Sequence, residues 1–288
     1  MEKERITGAE AMMRSLEHQG VETLFGYPGG SIMPTFDALY DHRNTLNHIL
    51  VRHEQGATHA AQGFARSSGK VGVCLVTSGP GATNTITGVA DAMIDSTPIV
   101  VIAGQTPTSM LGTDAFQEVD LVGVTQPISK WSYQIRRAED IAWAVARAFY
   151  IAKSGRPGPV VLDFTKNAQT EMVDYEPVTL DFIRSYDPIP DTDRVELQHA
   201  ADLLNVAERP FVLVGQGVEL GNAQEELRSF LEKADIPCGR TLLGLSAIPS
   251  DHPLNRGMLG MHGNLGPNVK TNECDVLIAI GMRFDDRV

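Results

Sequence analysis

Short apolar runs, many of them β-branched, alternate with longer amphipathic segments along the first part of the chain. The runs predict strands at residues 23–26, 48–51, 71–76, 99–102 and 160–163. The longer segments predict helices over residues 8–19, 55–67 and 138–153. Strands this uniformly apolar are typical of a parallel sheet with helices on both faces. The pattern therefore predicts an α/β domain over residues 1–170.

The periodicity is lost over residues 171–190, where Asp and Pro recur, as in Asp187-Pro188-Ile189-Pro190. This composition predicts an extended linker. The alternation then resumes, and it predicts helices at residues 194–206 and 223–234 and strands at 210–214 and 276–280. We therefore predict a second parallel-sheet α/β domain with helices on both faces over residues 191–288. We expect it to be incomplete, because the chain ends directly after a strand.

Composition and charge narrow the functional classes. The chain has 288 residues with 42% apolar and 21% charged residues, as expected for a soluble protein of about two domains. The net charge of −12, with scattered Lys and Arg, makes nucleic acid an unexpected partner. The apolar runs are too short to cross a bilayer and no signal segment is visible, so we expect no membrane and a cytoplasmic protein. Cys74, Cys238 and Cys274 form no C-x-x-C pair, and we interpret them as reduced packing residues.

Glu54 is the first candidate for chemistry. It opens a predicted helix in Arg52-His53-Glu54-Gln55-Gly56, and the loop Ser78-Gly79-Pro80-Gly81-Ala82-Thr83-Asn84 follows the next predicted strand. A carboxylate beside exposed backbone N–H groups is suited to activating a bound heterocycle. The alternative is a solvated carboxylate stabilised by the helix dipole. A metalloprotease is excluded, since His53 and His59 are six residues apart and do not form H-E-x-x-H.

Three further glycine-rich or charged segments are candidate binding loops. The turn Gly26-Tyr27-Pro28-Gly29-Gly30 follows a strand, which favours a cleft at the carboxyl ends of the strands. Residues 215–221 resemble a dinucleotide turn, but Gly239-Arg240-Thr241 lacks the acidic residue that a nicotinamide cofactor requires, and an adenine dinucleotide held differently stays open. Residues 283–287, Arg-Phe-Asp-Asp-Arg, are either a solvated loop or an anion-binding loop with arginines held by aspartates.

Six segments together resemble the catalytic large subunit of acetolactate synthase, also called acetohydroxyacid synthase, a thiamine-diphosphate-dependent family. They are residues 26–30, 52–57, 77–84, 112–118, 154–159 and 283–288. The resemblance runs from about Ile6 to the final residue and covers the amino-terminal half of the family's chain. Residues 1–170 correspond to the pyrimidine-binding domain, and residues 191–288 correspond to part of a central FAD-binding domain.

The resemblance implies a transferase that decarboxylates pyruvate and joins the two-carbon unit to pyruvate or 2-oxobutanoate. The product would be 2-acetolactate or 2-aceto-2-hydroxybutanoate, on the route to valine, leucine and isoleucine. Glu54 matches the glutamate that hydrogen-bonds N1′ of the aminopyrimidine and favours its imino tautomer, which removes the C2 proton of the thiazolium. The catalytic residues implied are Glu54, Gln117, Lys166 and Phe116, the last two as lining of the substrate channel.

The same resemblance implies two sets of cofactor contacts. Those for thiamine diphosphate are Tyr27, Pro28, Gly29, Glu54, Pro80, Asn84 and Gln117. The family's reaction involves no net oxidation or reduction of FAD. The contacts implied for FAD are Arg156, Gly215, Gly217, Thr241, Leu242, Met261, His262, Gly281, Arg283, Asp285 and Arg287.

Family members are roughly twice this long. The Gly-Asp-Gly segment that holds Mg²⁺ and the diphosphate in the family does not occur here, so we expect no metal ligand in this chain and no pyruvate turnover by it alone. The resemblance also implies a homodimer across the cofactor site and a regulatory small subunit. Two alternatives stay open, namely a flavin-containing relative such as a pyruvate oxidase, and a non-catalytic assembly module.

Overall fold

The structure is a computed structural model, and it describes residues 4–288. The chain divides between Pro190 and Asp191 into two compact units. Each unit contains a parallel sheet with helices packed against it. The predicted α/β class, with two successive parallel-sheet domains, is therefore confirmed.

The first unit contains eight strands and eight α-helices within its described residues. In chain order they are β1 (Glu4–Thr7), α1 (Gly8–His18), β2 (Thr23–Tyr27), α2 (Met33–Asp41), β3 (Asn47–Leu50), α3 (Glu54–Ser68), β4 (Gly72–Val76), α4 (Pro80–Thr83), α5 (Ile86–Ile94), β5 (Ile99–Gln105), α6 (Leu121–Thr125), β6 (Trp131–Ile135), α7 (Ile141–Lys153), β7 (Val160–Thr165), α8 (Lys166–Thr170) and β8 (Met172–Tyr175). Short 3₁₀ turns lie at Thr108–Met110, Gln126–Ile128 and Ala138–Asp140.

Six of these strands form one parallel sheet in the order β3-β2-β4-β5-β7-β6. Its central strands β4, β5 and β7 are buried along their whole length, which explains why their sequences are continuous apolar runs. One apolar cluster covers the face that carries Val100, Ile102 and Leu162, and another covers the face that carries Val101 and Val161. The carboxyl ends of all six strands therefore lie along one edge.

Residues 171–190, predicted to be a linker, contain a strand. This strand, β8, pairs antiparallel with β1, the first strand of the unit in sequence, and Ile6 lies opposite Val173. Further along, Ile183 is buried in the main apolar cluster and pairs with Tyr186. This segment therefore packs on the first unit by both backbone pairing and apolar contact.

The second unit has a parallel four-stranded sheet in the order β11-β10-β9-β12. Its elements are α9 (Arg194–Val206), β9 (Pro210–Val214), α10 (Gly217–Leu220), α11 (Gln224–Ala234), β10 (Cys238–Arg240), a 3₁₀ segment Leu242–Ala247, β11 (Asn255–Met258), α12 (Leu265–Glu273) and β12 (Val276–Ile280). Val212, Val214 and Leu231 belong to its main apolar cluster.

The cysteines are free thiols, as the sequence predicts. Cys74 and Cys238 are buried and Cys274 is half-buried. Burial raises the pKa of Cys238 to about 11, so this thiol stays protonated at neutral pH and packs as a small apolar group. Across residues 4–288, no helix is both long and apolar enough to cross a membrane.

Candidate functional site

The strand order of the first sheet changes direction between β2 and β4. From β2 the chain first adds β3 on one side, and it then crosses back to place β4 on the other side. In parallel α/β sheets a crevice opens beyond the carboxyl ends of two such strands, and ligands bind there. The turn Pro28-Gly29 follows β2, and the loop from Thr77 to Gly79, which leads into α4, follows β4. The two glycine turns predicted to share a cleft are thus brought together.

Glu54 lies at this crevice and is buried, with 8% of its surface exposed. It is the first residue of α3, and His53 caps that helix by accepting a hydrogen bond from the Gln55 N–H at 3.1 Å. Asn84 donates from Nδ2 to Oε2 of Glu54 at 2.9 Å. The carboxylate is therefore held in one orientation by an amide, and it is not a solvated charge at a helix end.

Two glycines pack closely beside this carboxylate. A Cβ added to Gly81 would lie 3.2 Å from Oε1 of Glu54 and 2.6 Å from Cγ2 of Thr77, and a Cβ on Gly29 would lie 2.6 Å from Cβ of Thr77. Any larger residue at either position would press on the crevice wall. Only glycine therefore lets the two turns pack this closely on Thr77 and Glu54.

Thr77 also carries an unpaired polar atom into this crevice. Its Oγ1 is buried and has no hydrogen-bond partner among the described residues. A buried hydroxyl without a partner is costly unless a ligand or water completes it. The oriented Glu54 carboxylate and this hydroxyl could each hydrogen-bond a nitrogen heterocycle such as an aminopyrimidine. Thr77 is absent from the predicted contacts, although it begins the motif of residues 77–84.

Gln117 closes another side of the site. Its backbone touches Gly79, since a Cβ on that glycine would lie 2.7 Å from the Gln117 carbonyl oxygen. Gly79 has φ of +55° and Gln117 has φ of +60°, so both residues occupy the left-handed region. That conformation favours glycine, and for Gln117 it is a local strain that the surrounding structure must hold.

The remaining predicted residues of this unit differ in their exposure. Pro80 is exposed at the start of α4, and Tyr27 is 41% exposed at the end of β2. Phe116 is 85% exposed on the loop after β5, and half-buried Lys166 begins α8 directly after β7. Pro80, Phe116 and Lys166 lie beyond the carboxyl ends of strands, and Tyr27 is the last residue of its strand. Phe116 and Lys166 follow neighbouring strands, as lining of one channel would require.

Arg156 lies at the opposite edge of the sheet, in the loop that leads into β7. Its Nε donates to Oγ of Ser96 at 2.7 Å, and its Nη2 donates to the carbonyl oxygens of Met93 and Ile94. These three contacts secure the end of α5. Arg156 is therefore outside the Glu54 crevice.

In the second unit, the predicted glycine turns contact each other. Gly217 donates its N–H to the Gly281 carbonyl oxygen at 2.6 Å, and a Cβ on Gly215 would lie 2.4 Å from Cα of Met282. These turns follow β9 and β12, where this sheet also changes direction. Because the backbone of one turn fills the space at the other, the glycines do not by themselves form an open cradle for a dinucleotide.

The other predicted residues of this unit follow strands β10 and β11. Thr241 follows β10 and caps the 3₁₀ segment by accepting the Gly244 N–H at 3.2 Å, which leaves Leu242 exposed. Met261 donates its N–H to the Arg287 carbonyl oxygen at 2.8 Å, and exposed His262 follows it.

The charged run at residues 283–287 has the predicted pairing of arginines with aspartates. Arg283 pairs with Asp285 at 3.0 Å, and Arg287 pairs with Asp286 at 3.3 Å. Asp285 also accepts the Arg287 N–H at 2.9 Å. Both guanidinium groups are largely exposed, so they remain available to an anion.

Among residues 4–288, no cluster of three or more His, Cys, Asp or Glu side chains is arranged to hold a metal ion.

Comparison with known proteins identifies two domain families in the chain. Residues 6–124 match the thiamine pyrophosphate enzyme N-terminal TPP binding domain, and residues 197–288 match the thiamine pyrophosphate enzyme central domain. The first match includes Glu54 and both turns of the crevice.

Curated relatives at nearly half identity cover almost the whole chain. The "Probable acetolactate synthase large subunit" of Methanocaldococcus jannaschii is 49% identical over 98% of this chain and 48% of its own length. The "Acetolactate synthase" of Arthrospira platensis is 47% identical over 99% of this chain and 50% of its own length. The "Acetolactate synthase isozyme 2 large subunit" of Escherichia coli is 47% identical over 98% of this chain and 50% of its own length. The resemblance inferred from the motifs is confirmed, and the chain spans about half the length of the curated relatives it matches.

Proposed function

Because the chain belongs to the thiamine pyrophosphate enzyme family, we propose that its first unit binds the aminopyrimidine ring of thiamine diphosphate in the Glu54 crevice. The observation that carries this proposal is the buried Glu54 carboxylate, which Asn84 orients and which lies beside Gly81. Tyr27, Pro28, Gly29 and Pro80 would form the remaining wall.

The proposed reaction is the condensation of pyruvate with a second 2-oxo acid and loss of CO2, giving 2-acetolactate or 2-aceto-2-hydroxybutanoate. The similarity to acetolactate synthases supports it. Thiamine diphosphate supplies the electron sink for decarboxylating a 2-oxo acid. Valine, leucine and isoleucine biosynthesis is the pathway that such a reaction serves.

Glu54 would hold a proton between its Oε1 and ring atom N1′, while Asn84 keeps the other carboxylate oxygen in place. A carboxyl group shielded from water makes a stronger hydrogen bond than one in solvent, which favours the tautomer that acts as base. Phe116 and Lys166 would line the channel for the 2-oxo acids, since they lie beyond the carboxyl ends of β5 and β7, and Gln117 would join the wall around the aminopyrimidine.

Two further cofactors belong to the proposal. The diphosphate and its Mg²⁺ would be bound by residues outside this chain. FAD would contact the second unit, where the exposed Arg283 and Arg287, each paired with an aspartate, are suited to an anionic group.

We further propose a homodimer across the cofactor site and association with a regulatory small subunit, because several relatives are named large subunits. A cytoplasmic location is consistent with three free cysteines.

The decisive experiment uses a protein extended to the length of its relatives. In Glu54→Gln, the exchange of the C2 proton of bound thiamine diphosphate should slow by about a hundredfold or more. Glu22→Gln, a surface change in the same unit, should exchange like the unmodified protein. Near-normal exchange in Glu54→Gln would remove this residue from its proposed role.

Product analysis with pyruvate separates the alternative reaction. Acetolactate supports the condensation, whereas acetate or acetyl phosphate would indicate an oxidase. Calorimetry of the 288-residue chain with thiamine diphosphate and with FAD addresses the third alternative, since tight binding of either by this chain alone would favour a binding module.

A further inference from the structure

A buried carboxylate that the proposed chemistry does not use lies on strand β7 of the first sheet, between β5 and the edge strand β6. Asp163 of β7 has no exposed surface. Its Oδ2 accepts hydrogen bonds from Nε2 of Gln134 at 2.7 Å and from Nε2 of Gln105 at 3.2 Å. Its Oδ1 is buried and has no partner among residues 4–288. An ionisable group placed so deeply is costly, and the two amides that converge on it need an explanation.

Gln105 connects this carboxylate to both ends of the next loop. It is the last residue of β5, and it is also buried. Its Oε1 accepts the N–H of Thr106 at 2.9 Å, and its Nε2 donates to the carbonyl oxygen of Val119 at 2.9 Å as well as to Asp163. One side-chain amide therefore closes a loop that spans residues 106–119.

The orientation of the second amide is fixed from the protein surface. Arg136 donates from Nε to Oε1 of Gln134 at 2.6 Å, so the amide nitrogen of Gln134 must point at Asp163. Gln134 stands directly opposite Asp163 in the parallel register of β6 and β7. The amide nitrogens of Gln134 and Gln105 are therefore both oriented as donors toward Asp163.

The loop closed by Gln105 carries the residues proposed to meet substrate and cofactor. Gln117 packs on Gly79 with a positive φ, and Asp114 is also in the left-handed region. Inside the loop, the Glu118 carboxylate accepts the N–H groups of Gly112 and Ala115, and these bonds hold the pKa of Glu118 below its usual range. Strained backbone of this kind persists only where neighbouring contacts hold it.

We propose that Asp163 and Gln105 are positioning residues that clamp the base of the 106–119 loop and thereby hold Gln117 against Gly79. Asp163 supplies the fixed acceptor, and Gln105 transmits its position to Thr106 and Val119. The bearing of this clamp on catalysis rests on the proposed function, but the clamp itself does not depend on any cofactor.

The test is hydrogen–deuterium exchange of the 288-residue chain, read by mass spectrometry on peptides from residues 106–120. Gln105→Leu should raise exchange there by roughly tenfold, because two hydrogen bonds at the loop base are lost. Asp163→Leu should raise it in the same peptides. Asp163→Asn should exchange like the unmodified chain, because its carbonyl oxygen still accepts both amides.

Two comparisons separate the clamp from general loss of structure. Peptides from α7 should keep their protection in every variant, and denaturant midpoints identify any variant that has lost global stability. Gln19→Leu removes an amide bond to the Val178 carbonyl oxygen elsewhere in the unit and should leave the 106–120 peptides unchanged. Unchanged exchange in Gln105→Leu, an equal rise in α7, or a rise in Asp163→Asn as large as in Asp163→Leu would each overturn the proposal.

The exchange experiment and the Glu54 experiment can refute their two proposals independently of each other. If the clamp is wrong, the loop exchange stays at its original rate while C2 exchange still depends on Glu54. If the proposed function is wrong, C2 exchange does not depend on Glu54, and the loop still opens in Gln105→Leu.

Discussion

At the scale of single residues, the crevice depends on the absence of side chains as much as on the carboxylate. Glu54 could be chosen from the sequence because a glutamate that opens a helix beside a glycine loop is an unusual combination. Thr77 could not, because its significance comes from burial without a partner, which only packing reveals. The proposed function therefore depends both on the Glu54 carboxylate and on the glycines that pack beside it.

The close packing of Gly81 on Thr77 can be tested by adding a methyl group at position 81. Gly81→Ala should destabilise the first unit by about 1–3 kcal/mol, because the new Cβ would lie 2.6 Å from Cγ2 of Thr77. Gly63→Ala is a matched control in the middle of α3, where nothing lies within 4 Å of the new Cβ. It should stabilise the chain by up to about 1 kcal/mol through helix propensity. Urea denaturation of the two variants should give shifts of opposite sign, and shifts of the same sign would contradict this account.

Asp163 predicts a pH dependence of stability. Burial raises the pKa of Asp163 to about 6 from 3.8, against the opposing effect of the Gln134 and Gln105 amides; the charge of Asp120 adds to the rise and Arg136 reduces it. A raised folded-state pKa means that the folded chain binds this proton more tightly than the unfolded chain does. Its contribution to stability is thus complete below pH 3.8 and is lost as the pH rises through about 6.

The free energy of unfolding of the unmodified chain, relative to Asp163→Asn, should therefore rise as the pH falls from about 8 to about 4. The change has an upper limit of about 3 kcal/mol, from 1.36 kcal/mol per pKa unit. Gln19→Leu, which removes no titratable group, should show no such slope. If the free energies of unfolding of the unmodified chain and of Asp163→Asn differ by the same amount at every pH, the Asp163 carboxylate does not titrate in this range.

At the scale of elements, α1 and α2 are joined by a histidine between two glutamates. His42, which follows α2, contacts Glu17 at 2.8 Å and Glu10 at 3.0 Å, both on α1. Burial lowers the pKa of His42, but the hydrogen bonds to Glu17 and Glu10 outweigh it, and the net effect is a pKa above 6.5. The pKa of Glu10 is lowered: burial raises it, and the hydrogen bonds to Arg14 and His42 outweigh that effect.

The pKa of His42 is raised and the pKa of Glu10 is lowered, so together they define a pH range in which this contact stabilises the fold. The stability from His42 is present below pH 6.5 and is lost as the pH rises through the raised folded value, whereas that from Glu10 is lost as the pH falls below 4.5. His42→Gln should therefore cost more stability at about pH 5.5 than at about pH 8.5. Thermal denaturation at the two pH values measures this, with His199→Gln on exposed α9 as control. An equal loss at both values would mean that the bridge is not charged.

The elements that the sequence predicted are those with a strong local signal. The buried runs of β4, β5 and β7 and the helix over residues 55–67 were located to within a few residues. Strand β6 is not among the predicted strands, which are all continuous apolar runs. Its sequence Trp-Ser-Tyr-Gln-Ile instead has the alternation of apolar and polar residues that is typical of a half-buried edge strand. Strand β8 was missed because its partner β1 is 165 residues away in sequence, and no local pattern reports such a pairing.

At the scale of the whole molecule, each apolar cluster is formed within one unit. The buried residues of the two apolar clusters in the first unit all lie between Ile6 and Ile183. The buried residues of the two clusters in the second unit all lie between Phe211 and Leu259. A unit with its own core is expected to fold alone. A chain shortened to residues 1–190 should therefore unfold cooperatively and retain α/β circular dichroism.

The boundary of this unit gives the sharpest comparison. The sequence placed the end of the first domain at residue 170, whereas the contacts extend to Pro190. Residues 171–190 supply the β8 partner of β1, the buried Ile183 and a hydrogen bond from Oγ of Ser154 to the hydroxyl of Tyr186. A chain of residues 1–170 should thus be less stable than one of residues 1–190 by on the order of 3 kcal/mol, because it loses a core side chain and a strand pairing. Ile183→Ala within residues 1–190 should reproduce part of that loss. Equal denaturation midpoints for the two shortened chains would show that residues 171–190 are a linker after all.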